Sequence, residues 1–118
     1  MARILSVSYD EPLLRTRELI LRQHGYDVVS ALGFTPALKQ CEQSGNRFQL
    51  FILGHSIPHS DKEALIAAFR AHCRAPVVAL TRRGERQVEG ADFQIEPEPQ
   101  QIVELVARLI SGAANAAD

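Results

Sequence analysis

The sequence predicts one α/β domain, a parallel sheet with helices on both faces. Three observations carry this expectation. Short β-prone runs alternate with amphipathic stretches in the order β-α-β-α-β-α-β-link-β-α, and alternation at these lengths implies parallel strands joined by right-handed crossovers. The runs at 48–53 (FQLFIL) and 76–81 (PVVALT) show no strict polar–apolar alternation, as strands buried on both faces do. A length of 118 residues fits one domain and leaves no room for a second.

Residues 3–8 (RILSVS) make the first strand. Asp10, Glu11 and Pro12 open the first helix as a cap candidate, an acidic first turn and a proline near the first helical position. Leu13, Leu14, Leu19, Ile20 and Leu21 form its apolar stripe, and Gly25 ends it. Residues 26–31 are the second strand. Thr35 as cap and Pro36 behind it start a second helix that runs to about 44–45. After the strand at 48–53, residues 54–60 (GHSIPHS) form a loop by their Gly, Pro and Ser content. Asp61 caps a helix over 62–73 with Leu65, Ile66 and Phe69 on one face. The strand at 76–81 leads into a polar stretch, 82–92, that carries two glycines. Residues 93–95 are a short last strand, and 99–110 a last amphipathic helix with Ile102, Val103, Leu105, Val106, Leu109 and Ile110. The domain spans 1–112, and 113–118 form a flexible tail with little to bury.

Composition narrows the function classes. Thirteen basic and fourteen acidic residues leave a net charge of −1, so no global field attracts nucleic acid or anionic lipid. Apolar runs fall far short of the ~20 residues of a membrane span, and the N-terminus has no signal-peptide core. Cys41 and Cys73, 32 positions apart, match no metal or redox spacing and read as free thiols in a reducing cytosol. A cytoplasmic protein is expected.

In a doubly wound sheet, chemistry sits at the carboxyl ends of the strands. Here those ends are Tyr9 to Glu11, Gly54 to Pro58, Thr81, and Glu96 with Pro97. Read in order, ILSVSYDEP, HGYDVVSA, FQLFILGHSIP, PVVALT and GADFQIEP resemble the strand-end segments of the receiver domain of bacterial response regulators. The resemblance runs from Arg3 to about Gly112. It implies a flavodoxin-like fold, strand order 2-1-3-4-5, and a phosphorylation pocket at Tyr9, Asp10, Glu11, Gly54, Ser56, Thr81, Glu96 and Pro97. It also implies a cis Glu96–Pro97 bond, and it makes Phe93 the aromatic that responds to phosphorylation.

The departures decide the functional expectation. Gly54, four residues before Pro58, stands where the family carries its phosphate-accepting Asp. Tyr9 replaces the first residue of the acidic pair, and Glu96 replaces the lysine before the proline. Thr81 alone keeps its family identity. A magnesium ion takes oxygen ligands from one or two carboxylates, so Asp10, helped by a carbonyl near Ser56, is left as a weak residual site. Thr81 and Gly90 lie nine positions apart, too close for the family's full fourth helix, which is therefore shortened or missing. Val77, Ala79 and Phe93 would lose cover there, making an interaction face with the last helix.

The expected function is a stand-alone, receiver-like signalling module that is not phosphorylated and not an enzyme. It acts on a protein partner, a homodimer included, without nucleic acid, membrane or small-molecule substrate. An active phosphorelay receiver with His55 or Ser56 as acceptor is the alternative, and a small metal-dependent hydrolase a third reading. Each candidate also has a plainer role. Asp10 and Glu11 suit the positive end of a helix. His55, His59 and Asp61 read as loop residues and a cap before they read as a metal cluster. Ser56 has no elbow or oxyanion loop beside it, and Arg82, Arg83 and Arg86 read as a solvated loop before a nucleic-acid contact.

Overall fold

The computed structural model describes residues 2–44 and 47–116. Five strands, β1 (Arg3–Ser8), β2 (Asp27–Leu32), β3 (Leu50–Leu53), β4 (Val77–Leu80) and β5 (Phe93–Ile95), form one sheet in the order β2-β1-β3-β4-β5. Every pairing is parallel. The helices are α1 (Glu11–Gln23), α2 (Phe34–Ser44), α3 (His59–Arg70) and α4 (Pro99–Ala116). On one face Leu21 of α1 and Ile102, Leu105 and Val106 of α4 pack on Ile4, Leu50, Ile52, Val78 and Leu80. On the other, Ala37 and Cys41 of α2 and Leu65, Ile66 and Phe69 of α3 pack on Leu5, Val7, Phe51, Leu53, Val77 and Ala79. The all-buried patterns of β3 and β4 follow from this double cover. Cys41 is buried, Cys73 half-buried, and both are free thiols.

Asp10 caps α1 as expected, its carboxylate accepting the Leu13 N–H at 3.1 Å. Three other helix ends differ from expectation. Gly33, at φ +94°, donates to the Ser8 carbonyl at 3.0 Å and releases α2 at Phe34, so Thr35 lies inside the first turn instead of capping it. Helix α3 starts at His59 behind Pro58 with no side-chain cap, which leaves Asp61 free for another partner. Helix α4 continues to Ala116, six residues past Ile110, through a segment rich in alanine, the strongest helix former. Residues 117–118 of the expected tail lie outside the described residues.

No helix separates β4 from β5, but the stretch does not leave the sheet bare. Val88, 1% exposed, packs in the α2–α3 core with Val77 and Ala79, both fully buried. The expected exposure of Val77 and Ala79 is thus corrected: both are fully buried, with Val88 of the connecting stretch in the same core cluster. Gln94 and Glu63 fix the stretch by accepting the N–H groups of Val88 at 2.9 Å and Glu89 at 3.0 Å.

The expected cis bond is absent as well, since no peptide bond among the described residues is cis. Trans is the intrinsic preference of an X–Pro bond. Here the Glu98 N–H donates to the Glu96 carbonyl at 2.8 Å, a three-residue turn about Pro97 that takes the chain into α4. No helix among the described residues is long and apolar enough to cross a membrane.

Candidate functional site

The ends of β1 and β3 meet at Gly54, whose N–H donates to the Val7 carbonyl at 2.8 Å. Gly54 is buried. A Cβ built there would lie 3.1 Å from Arg17 Nη2, 3.1 Å from the Val7 carbonyl oxygen and 3.3 Å from Ser8 Oγ. The space beside this strand end is therefore held by a guanidinium. Arg17 reaches it from α1 with 8% of its surface exposed, donating through Nη1 to Ser6 Oγ at 3.0 Å and the Val7 carbonyl at 3.3 Å. Among the described residues no carboxylate pairs with it, and burial brings its pKa down to about 10.

The neighbouring side chains are occupied in joining loops. Ser56 Oγ accepts the Tyr9 N–H at 3.1 Å and lies 3.2 Å from Ser8 Oγ, which in turn accepts the Asp10 N–H at 3.0 Å. These contacts tie the loop after β3 to the loop after β1. The Tyr9 hydroxyl donates to Asp61 at 2.8 Å; burial, reinforced by that carboxylate, raises the phenol well above its ordinary range. Glu11 is exposed and pairs along the helix with Arg15 at 2.9 Å. Thr81 is buried at the end of β4, its N–H donating to the Ile95 carbonyl at 2.9 Å. Glu96 is exposed, Pro97 half-buried, and Phe93 39% exposed on edge strand β5.

His55 is half-buried, and its Nδ1 is enclosed without a hydrogen-bond partner. Burial, followed by the charges of Arg82, Arg17 and Lys62, lowers its pKa, with Asp10 opposing. His59 and Asp61 have other partners. His59 meets Glu63 at 3.2 Å and Glu85 at 3.5 Å, while Asp61 holds Tyr9. Among the described residues no three His, Cys, Asp or Glu side chains are arranged to hold a metal ion.

The resemblance implies a divalent cation at this strand end, and the residues present do not fit one. Asp10 spends an oxygen on the cap of α1, Glu11 points to Arg15, and Gly54 supplies no ligand. The Arg17 guanidinium beside Gly54 repels a cation.

Sequence reasoning missed three residues. Lys62 of α3 is fully buried, its Nζ donating to the Leu80 carbonyl at 3.0 Å and to Glu85 at 2.8 and 3.1 Å. For Glu85, burial alone would raise the carboxyl pKa, but Lys62, with help from His59 and the Arg82 backbone, holds it below the usual range. The signal for the two cations was their spacing. Arg17 lies between Leu14 and Leu21 at intervals of three and four, and Lys62 stands three and four residues before Leu65 and Ile66. Both belong to buried stripes. Glu85 sits in a loop and carries no such periodic signal.

No family model matches the sequence, and no curated protein does. Solved structures do match. The chain is similar to the N-terminal domain of a response regulator/sensory box/GGDEF three-domain protein from Carboxydothermus hydrogenoformans, at 22% identity over 98% of this chain and 99% of that one, TM-score 0.79. It is similar to the receiver domain of the hybrid histidine kinase CckA at 24% identity over 92% and 98%, TM-score 0.76. It also matches the chemotaxis response regulator CheY4 of Vibrio cholerae at 20% identity over 92% and 98%, TM-score 0.71. The structural neighbours are thus receiver domains. The chain has their flavodoxin-like architecture: five parallel strands in the order 2-1-3-4-5.

Proposed function

We propose that this chain is a signalling module of the receiver type that acts through protein contact and accepts no phosphoryl group. The observation that carries the reading is the Arg17 guanidinium beside Gly54. Phosphoryl transfer needs a nucleophile in line, a cation on the transferred oxygens and fixed positive charge around them. Gly54 offers no nucleophile, Arg17 disfavours the metal, and Glu96 brings negative charge where the resembling family has lysine. The alternative acceptors are engaged in part. Ser56 Oγ is committed to Ser8 and Tyr9, and His55 Nδ1 is enclosed.

Output then rests on surface recognition of a protein, a second copy of this chain included, rather than on catalysis. The face beside β5 suits it, because Phe93 is an exposed aromatic on an open sheet edge. Two free thiols fit a reducing cytoplasm. The test is incubation with acetyl phosphate and magnesium, followed by intact mass. An unchanged mass is expected. A gain of one phosphoryl group, whether mapped to His55, Ser56 or elsewhere, overturns the reading.

A further inference from the structure

Between α1 and α4 lies a cavity of about 70 Å³, lined by Leu13, Ile20, Leu21, Pro97, Ile102 and Val103 among others. Its lining is apolar with one charged residue, Arg17. Thr16 also lines it, but its hydroxyl is committed to the Pro12 carbonyl at 2.9 Å. A guanidinium has five N–H donors in a planar fork. In Arg17 only Nη1 finds acceptors among the described residues, while Nη2 has none and is not sealed from solvent. Proteins seldom bury a charge without a counter-charge. An apolar cavity with one unanswered cation at its wall is complementary to a small molecule of the opposite pattern.

We propose that this cavity binds a small amphipathic carboxylate, with its oxyanion on Arg17, the one charged residue of the lining, and its apolar body between α1 and α4. Guanidinium and carboxylate match in bidentate geometry. The volume sets the size of the apolar part. A cavity of ~150 Å³ holds benzene, so 70 Å³ suits a short branched acyl chain. Such a compound is proposed as a ligand and not a substrate, because the hydroxyl lining the cavity, that of Thr16, is committed to the Pro12 carbonyl. The site does not depend on whether the chain accepts a phosphoryl group, so the two readings fail separately.

The probes are isovalerate, its neutral isostere isovaleramide, and inorganic phosphate, each titrated into the full chain and followed by amide chemical shifts. Isovalerate is expected to give saturable shifts at Leu13, Ile20 and Val103. Because a hydrogen bond to a charged group is lost, isovaleramide should bind at least about tenfold more weakly, and so should isovalerate to Arg17→Met. Val103→Phe keeps the guanidinium but fills the cavity, and should lose isovalerate equally, with thermal unfolding as the control for folding of both variants. Equal binding of acid and amide would show that the charge is unused and overturn the proposal. Inorganic phosphate binding as tightly as isovalerate, or no shifts with isovalerate, would overturn it too.

Discussion

Arg17 and Lys62 are both cations drawn from helix stripes into the interior, one on each side of the sheet, and they are treated differently. Lys62 is matched by Glu85 at 2.8 Å and by the Leu80 carbonyl, and the match clips the 82–92 stretch to α3. Arg17 has backbone and hydroxyl acceptors but no acid, and it stands beside a glycine. The difference separates two uses of a buried charge. Paired, it organises a loop; unpaired, it occupies a place and leaves recognition capacity unspent.

The largest effect expected is on the paired side. Glu85→Ala leaves a fully buried ammonium without its counter-charge, and stability should fall by about 3 kcal/mol. Urea unfolding measures the loss, and hydrogen exchange should show residues 82–92 deprotected before the strands. Next comes Val88→Ala, which opens a void over Val77 and Ala79 and should cost about 2 kcal/mol by the same assay. If either change is silent, the stretch is not the cover that replaces a helix.

On the unpaired side the effect is smaller. Arg17→Met removes an uncompensated charge and keeps a flexible apolar stem, so stability should stay within about 1 kcal/mol of the parent. A loss as large as that of Glu85→Ala would erase the distinction between the two cations.

The smallest effect is in pH. His55 has a folded pKa below its unfolded value, by burial first and then by Arg82, Arg17 and Lys62. The folded form thus binds fewer protons, and stability declines as pH drops through about 6.5. Glu85 and Glu63 have lowered folded values, so the stability they add is present above about pH 4.3 and is lost as pH falls through those values. Urea midpoints at about pH 7.5 and about pH 5.5 should fall in that order, and His55→Asn should flatten the difference.

Much of this was legible in the sequence. Alternating elements gave the doubly wound sheet, and the Asp10–Glu11–Pro12 start of α1 formed as read. Strand-end positions led directly to Gly54. The rest was hidden for physical reasons. Arginine and lysine on an amphipathic helix are normally taken as solvent-facing, and that expectation outweighed the three-and-four spacing that places both in buried stripes. Asp61 was free to cap a helix or to meet Tyr9, and three-dimensional proximity decided. Val88, an apolar residue in a polar stretch, gave no sign that it would join the core over Val77 and Ala79 of β4.

The most direct measurement of the central claim is intact mass after acetyl phosphate and magnesium, on the unmodified chain and on Gly54→Asp side by side. The Cβ of the new residue would lie 3.1 Å from Arg17 Nη2, so its carboxylate should be occupied by an internal ion pair. Both masses are predicted to remain unchanged. Phosphoryl uptake by the unmodified chain, or ready uptake by Gly54→Asp alone, would contradict the account.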